Sequence, residues 1–230
     1  MKKNNGKKGK FGDRPDVDVR PFLKRQFPTE GPSHGITIGK SPKFMWFRVA
    51  KVGTRTTLST LDSLGVTYHL REGFKFSYDA DAFKDYFKFA FVRNPWDRIV
   101  SCWYNKVKVI RELDFERKKL PKFEDLTGEF EEFVDFLETE NLTTCNIHYR
   151  LQTRLIPVDD MDFLGRFERF EADLMKVLKH LEIPKEDEFE SRNVSEDKRP
   201  FQEYYTPDLR DRISELYKAD IQAFNYKFDP

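Results

Sequence analysis

Cysteine is scarce in this 230-residue chain, which contains only Cys102 and Cys145. Two cysteines indicate neither a disulfide framework nor a paired-cysteine metal site. No stretch holds the roughly 18 consecutive apolar residues that a membrane-spanning helix needs, and the basic N-terminus MKKNNGKKGK lacks the apolar segment of a signal peptide. A cytoplasmic protein is therefore expected. The net charge is only +1, which argues against general nucleic-acid binding.

The composition divides the chain into an arm and one domain. Residues 1–40 are rich in Lys, Gly, Pro and Asp with little periodicity, so we expect a basic, partly disordered N-terminal arm. Residues 41–230 are enough for a single domain with a substantial core. Phenylalanine occurs 23 times, and its rings can fill that core or line a ligand groove.

Strand and helix patterns alternate through the predicted domain. Short apolar runs predict strands at 44–49, 66–70, 86–92 and 161–167, and helical spacing of apolar residues follows three of them. Further helices are expected at 130–137, 170–181 and from 207 onward, with a charged, exposed loop at 111–127. This alternation is typical of an α/β fold in which helices flank a central parallel sheet.

Two polar loops follow predicted strands. Ligands gather at the carboxyl ends of parallel strands, so both loops are candidate binding segments. In Lys51–Thr57, the sequence KVGTRTT combines a cation, a glycine and hydroxyl groups at a helix start, where backbone N–H groups bind anions. The loop has no Gly-Lys-Ser/Thr ending and is not a Walker A motif. By itself it is equally compatible with an ordinary strand-to-helix turn.

The second loop is RNPWDRIVS, Arg93–Ser101. Asn94 is a favourable helix cap, Pro95 suits the first helical position, and Asp97 complements the helix dipole. Arg93 leaves the end of the strand, where its guanidinium group can fork onto a phosphate. The alternative is that Arg93 pairs with an acid and that Ser101 faces solvent.

Together the two loops resemble the sulfotransferase superfamily, and its Golgi-type carbohydrate branch in particular. RVAKVGTRTT corresponds to the family's loop for the 5′-phosphosulfate, and Arg93 and Ser101 have the family's eight-residue spacing for the 3′-phosphate. NIHYRLQ at 146–152 resembles the family's Asn-x-His-Trp-x-x-Gln segment, and FLGRFERFEADL resembles its Gly-Lys-Phe-Glu strand–helix. The resemblance extends over residues 43–228 and implies a P-loop-NTPase-like sulfotransferase fold.

The resemblance also implies the reaction, an in-line transfer of a sulfuryl group from 3′-phosphoadenosine 5′-phosphosulfate (PAPS) to a carbohydrate hydroxyl group. Positioning and charge stabilisation dominate such chemistry. Lys51 would neutralise the leaving phosphate, Arg93 and Ser101 would hold the 3′-phosphate, and no metal is required. The remaining donor contacts are expected from two sets of residues. These are the loop residues Val52, Gly53, Thr54, Arg55, Thr56 and Thr57, and the late basic pair Lys198 and Arg199.

The acceptor hydroxyl group needs a general base. His69 is the favoured candidate, since relatives that act on heparan sulfate carry their base histidine in a comparable stretch. Glu72 competes with it, because the tyrosylprotein branch uses a glutamate. His148 matches the histidine of the family's Asn-x-His segment, and a positioning role is favoured for it over a catalytic one.

Two other functions remain compatible with the sequence. A kinase-like nucleotide enzyme would also place phosphates at these loops, although the missing Walker ending and the lack of an evident Mg²⁺-binding acid disfavour it. A non-catalytic glycan-binding protein could keep the fold and lose the chemistry. The expected partner of the leading function is a glycan acceptor, with no nucleic acid and no membrane span.

Overall fold

The computed structural model describes residues 18–25, 32–108, 126–184 and 199–229. In these residues six strands form one sheet with the order β1-β4-β2-β3-β5-β6. The strands are β1 (Leu23–Arg25), β2 (His34–Ser41), β3 (Phe44–Phe47), β4 (Thr67–Tyr78), β5 (Phe87–Val92) and β6 (Phe163–Arg166). The helices are α1 (Thr54–Ser63), α2 (Pro95–Trp103), α3 (Phe130–Glu138), α4 (Phe170–His180), α5 (Pro207–Leu216) and α6 (Lys218–Phe224).

The sheet is mixed. β3, β5 and β6 run parallel, whereas β1, β4, β2 and β3 pair antiparallel. The predicted α/β domain with flanking helices is confirmed, and its parallel part is the β3-β5-β6 half. The antiparallel pairing of β2 with β3 follows from chain length, because only Pro42 and Lys43 join these strands and a parallel pairing needs a crossover of a dozen residues or more.

β2 lies in the middle of the sheet, between β4 and β3. The predicted boundary between arm and domain, at residue 40, therefore falls inside a strand. The sequence HGITIGKS contains two glycines and a lysine, so its pattern did not predict a strand, yet Ile36 and Ile38 are completely buried. Tertiary pairing on both sides overrides the weak local propensity. Residues 1–17 of the predicted arm lie outside the described residues.

The central strands β3 and β5 are buried on both faces. All four residues of β3 have no exposed surface, and neither do Phe89, Ala90 and Phe91 of β5. Strands covered on both faces read as continuous apolar runs, which is why both were predictable. Their carboxyl ends lie side by side, and each leads directly into one of the two polar loops.

The helices begin and end close to where the patterns place them. The Asn94 side chain accepts a hydrogen bond from the Trp96 N–H at 3.1 Å and caps α2, with Pro95 in its first turn. Most of the expected loop at 111–127 lies outside the described residues. Within the described ranges, no helix combines the length and the apolar character needed to cross a membrane.

Candidate active site

The first loop leaves β3 in an unusual backbone conformation. Lys51 has a φ of 74° and Gly53 a φ of 81°, so both occupy the left-handed region that residues with a side chain adopt rarely. Gly53 precedes α1, and no side chain caps the helix there. The N–H groups of the first turn, at the positive end of the helix, are therefore able to bind an anion.

Gly53 is also required by its neighbour. A β-carbon at this position would lie 2.7 Å from the ring of Phe170, which is far inside van der Waals contact. Phe170 belongs to α4, so the helix after β6 packs directly against the loop after β3. The loop can approach α4 this closely because it has no side chain at this point.

The three threonines of the loop differ in their contacts. The Thr54 hydroxyl group donates to the Val49 carbonyl at 2.7 Å, and that of Thr57 donates to the Gly53 carbonyl at 3.2 Å. Thr57 is completely buried and Thr56 is half-buried. Of the other predicted loop residues, Val52 is buried in the core and Arg55 is exposed.

The second loop touches the first through Arg93. Its Nη1 donates to the Lys51 carbonyl at 2.9 Å, while Nε and Nη2 each donate to one carboxylate oxygen of Asp97 at 2.8 Å. The guanidinium group also stacks over the ring of Phe167, 4.2 Å from its centroid. Arg93 therefore pairs with an acid, the alternative noted from the sequence, and at the same time joins both loops. Ser101 is 8% exposed, two turns into α2.

Two distant side chains hold the backbone of the second loop. The Gln152 amide accepts from the Arg93 N–H at 3.0 Å and donates to the Arg93 carbonyl at 2.9 Å. Glu168 accepts from the Asn94 N–H at 2.6 Å and from the Tyr226 hydroxyl group at 2.9 Å. The last two segments quoted in the resemblance thus act as supports for the loop that carries Arg93.

Arg98 connects the first loop to the segment around residue 148. It is completely buried, and its guanidinium group donates to the carbonyls of Ala50 at 3.1 Å, Arg150 at 2.9 Å and Ile147 at 3.1 Å. Ala50 immediately precedes Lys51, and Ile147 immediately precedes His148. One buried cation therefore brings these two predicted site residues to the same place.

His148 is half-buried in a positively charged environment. Burial, and after it the charges of Lys106, Lys51, Arg98 and Arg55, lower the pKa of its imidazole to about 4. The imidazole is consequently neutral at pH 7. An anionic ligand that neutralises these cations would raise this pKa again.

His69 lies in β4, two strands away from β3 and level with the amino-terminal half of β3. It sits in β4 between Tyr68, which pairs with Gly39, and Leu70, which pairs with Ile38. Those β2 residues pair with the amino-terminal half of β3, while the Lys51 loop leaves the opposite end. With about 3.3 Å per residue along a strand and about 4.8 Å between strands, His69 lies on the order of 12 Å from the carboxyl end of β3. The structure does not bring it to the two loops.

Glu72 lies near the carboxyl end of β3 but is engaged by two cations. Its Oε1 accepts from Arg48 Nη1 at 3.0 Å and its Oε2 from Arg71 Nη1 at 3.2 Å. Arg48 is buried, donates its Nη2 to the Gly73 carbonyl at 2.7 Å and lies under the exposed ring of Phe74. The Glu72 carboxylate is thus part of an ion-pair group beside the loops.

The late basic pair is only partly described. Lys198 lies outside the described residues. Arg199 is exposed, with its guanidinium group 4.6 Å from the ring centroid of Tyr204 and 3.9 Å from Glu203. No group of three or more His, Cys, Asp or Glu side chains in the described ranges is placed to hold a metal ion.

Sequence reasoning did not identify Arg98 or Asn146 as site residues. Arg98 lies between Asp97 and the apolar pair Ile99 and Val100, and a cation on an otherwise apolar helix face is the signal that was available. Asn146 accepts from the His148 N–H at 3.1 Å, which is the Asx turn that an Asn-x-His sequence can form. The Arg98 contacts could not be predicted without their tertiary partners, whereas the Asn146 contact is local and its sequence was the available signal.

Comparison with known proteins identifies the family to which this chain belongs. A family model described as "Sulfotransferase family" matches residues 34–227. Carbohydrate sulfotransferase 14 of Homo sapiens is 30% identical over 171 residues, which are 65% of this chain and 44% of the relative. Carbohydrate sulfotransferase 12 of Mus musculus is 25% identical over 62% of this chain and 41% of its own length. Carbohydrate sulfotransferase 11 of Rattus norvegicus is 28% identical over 62% of this chain and 47% of its own length.

These matches leave much of each relative uncovered, since the chain spans less than half of the length of each of these three relatives. No solved structure matches the chain significantly.

Proposed function

Because the chain belongs to the sulfotransferase family, we propose that it transfers a sulfuryl group from PAPS to a hydroxyl group of a carbohydrate. Its curated relatives bear the name carbohydrate sulfotransferase, which supports a glycan as the acceptor class. The donor and the acceptor are both part of the proposal.

The observation that carries the proposal is the contact between the two phosphate loops. The hydrogen bond from Arg93 to the Lys51 carbonyl puts the guanidinium group of one loop against the backbone of the other. A nucleotide that is phosphorylated at both its 5′ and 3′ positions needs two anion sites in one crevice. Two loops at the carboxyl ends of adjacent parallel strands supply this arrangement.

The residues present fit the donor. The uncapped first turn of α1 offers N–H groups to the 5′-phosphosulfate, and the left-handed backbone at Lys51 and Gly53 is the kind of local strain that concentrates at binding sites. Arg93 and Ser101 would hold the 3′-phosphate. Arg93 would then give up one of its two hydrogen bonds to Asp97 and form one to the phosphate, because the guanidinium group matches the geometry of both anions.

The chemistry that these residues would perform is electrostatic. Lys51 would neutralise negative charge on the 5′-phosphate oxygen from which the sulfuryl group departs, and the α1 N–H groups would fix the phosphate in line with the acceptor. Preorganised donors of this kind are worth about 10²–10³ in turnover each. No metal is needed for such a transfer, since the departing charge meets a lysine and a helix terminus.

The donor half of the proposal is tested by ligand-dependent stabilisation. Melting temperatures are measured with 3′-phosphoadenosine 5′-phosphate (PAP), ATP and 5′-AMP at equal concentration, since a ligand that binds only the folded state raises the melting temperature. We expect PAP to stabilise the protein and ATP and 5′-AMP to have little effect. Equal or greater stabilisation by ATP would favour a kinase-like nucleotide enzyme instead.

A further inference from the structure

The side chains of Asn146 and His148 form a hydrogen-bonded pair beside the first loop. Nδ1 of His148 lies 2.8 Å from Oδ1 of Asn146, which also accepts from the His148 N–H at 3.1 Å. The same amide oxygen therefore fixes both the backbone and the ring of the histidine. Such a doubly held imidazole is positioned more firmly than a typical half-buried one.

The chemistry of the pair decides the tautomer. An amide oxygen only accepts hydrogen bonds, so the proton of the neutral imidazole must sit on Nδ1. The Nε2 atom then carries the lone pair. In the described part of the chain no hydrogen bond to Nε2 is found. A histidine that acts as a base needs such an available lone pair on one nitrogen and a group that orients the ring through the other nitrogen.

The location of the pair is set by the Arg98 guanidinium group. It donates to the carbonyl of Ala50, before Lys51, and to the carbonyl of Ile147, before His148, at 3.1 Å each. The backbones of the two segments therefore lie on either side of one guanidinium group. The charges of Lys51 and Lys106 also act on the imidazole. The histidine therefore lies near the loop that would hold the 5′ end of the donor.

We propose that His148 is the general base of the transfer and that Asn146 is the positioning residue that keeps its Nε2 free to accept a proton. This rests on the proposed function, since it names the base of that reaction. His148 Nε2 takes the proton of the acceptor hydroxyl group as the acceptor oxygen forms a bond to sulfur. The bond from sulfur to the 5′-phosphate oxygen breaks, its electron pair stays on that oxygen beside Lys51, and the imidazolium later releases its proton to water.

The proposal replaces the base that the sequence favoured. His69 lies on the order of 12 Å from the carboxyl end of β3 by the strand spacing, and both Glu72 oxygens accept from arginines. His148 is the candidate that lies beside Lys51 and has a lone pair without a partner among the described residues. The low pKa of about 4 keeps it neutral before the donor binds, and the donor phosphates would offset the four cations and raise its basicity.

The tautomer is measured directly by ¹⁵N NMR of the imidazole nitrogens, with His148 assigned through its loss in His148→Gln. We expect the Nδ1–H form at pH 7, and a change to the Nε2–H form in Asn146→Leu. The Nε2–H tautomer or an imidazolium at pH 7 in the wild-type protein would overturn the proposal. This readout requires neither donor nor acceptor.

Turnover supplies the second test, with labelled PAPS and chondroitin, heparosan and dextran as acceptors. His148→Gln should lower kcat by about 10²–10⁴ while stabilisation by PAP remains. Asn146→Leu should lower kcat with an unchanged KM for PAPS. Asn146→Asp should restore much of the rate with the acid limb of the pH profile moved to higher pH, since a carboxylate holds the same tautomer and favours the charged ring.

The controls separate this proposal from the proposed function. His180 stacks on Phe87 at the end of α4, so His180→Gln should retain the wild-type rate. Wild-type turnover in His148→Gln, or a comparable loss in His69→Gln alone, would overturn the assignment of the base and leave the sulfotransferase function intact. Binding of PAP without transfer to any of the three polysaccharides would instead count against the proposed function.

Discussion

The side-chain amide of Gln152 forms two hydrogen bonds with the main chain of Arg93, one as acceptor at 3.0 Å and one as donor at 2.9 Å. Gln152 is completely buried, and its own N–H donates to Asp220 at 2.7 Å. A segment 59 residues away therefore fixes the point at which β5 turns into the second loop.

Replacement of Gln152 by leucine should destabilise the protein markedly. The change keeps the volume but leaves the Arg93 N–H and carbonyl without their partner, and each buried unpaired group costs roughly 1–3 kcal/mol. Gln152→Glu should reduce the stability less at low pH, where its protonated carboxyl group can accept from the N–H and donate to the carbonyl. Urea denaturation measures both free energies of unfolding, and equal stability of Gln152→Leu and wild type would contradict this role.

Lys51 should matter for turnover more than for nucleotide affinity. Lys51→Asn removes the charge and keeps a residue that tolerates the left-handed backbone, so a stability loss is largely avoided. We expect kcat to fall by about 10²–10³ and partial recovery in Lys51→Arg. Lys43→Asn at the opposite end of β3 is the matched control, and a similar fall in that variant would show a general effect of charge.

Arg93 should control the preference for the 3′-phosphate. In Arg93→Lys the fork is lost, so the affinity for PAP should fall by about 10- to 100-fold while that for 5′-AMP changes little. The ratio of the two dissociation constants, measured by calorimetry, is insensitive to a small unfolded fraction. An unchanged ratio would mean that Arg93 serves only its contacts within the protein, with Asp97, Lys51 and Phe167.

The stability of the fold should depend on pH through His148. Its pKa is about 4 in the folded chain, by burial first and then by the surrounding cations, and about 6.5 when unfolded. Between these values the unfolded chain binds more protons, so stability falls as the pH drops from 6.5 to 4. The loss is about 3 kcal/mol at most.

His148→Gln has no such titration, so the difference in unfolding free energy between wild type and variant should change over this pH range. Urea denaturation at several pH values measures it. A difference that stays constant from pH 7 to pH 4 would show that the imidazole is not held neutral by its surroundings.

The parts of the fold that were predictable are those set by local sequence. The continuous apolar runs of β3 and β5 and the Asn94-Pro95 cap of α2 each express a short-range rule. Both loops could therefore be located before the structure was known. β2 could not be predicted, because its two glycines weaken the local strand propensity and the strand forms through pairing with β3 and β4 on both sides.

In the candidate site, too, the local features were predictable and the long-range contacts were not. The spacing of Arg93 and Ser101 belongs to one continuous stretch, the end of β5 and the helix α2 after it, and sequence could predict it. The joining of Ala50 and Ile147 by Arg98 is a contact between segments about 100 residues apart, and nothing local encodes it. The distance of His69 from the two loops also depended on strand register, which periodicity does not provide.

The most direct test of the account is transfer of radiolabelled sulfate from PAPS to a polysaccharide by the wild-type protein and by Lys51→Asn, in the same assay and with PAP binding verified for both. The account predicts label in the polysaccharide with wild type, and a rate lower by about 10²–10³ with the variant. Equal rates for the two proteins, or no labelled polysaccharide from a wild-type protein that binds PAP, would contradict it.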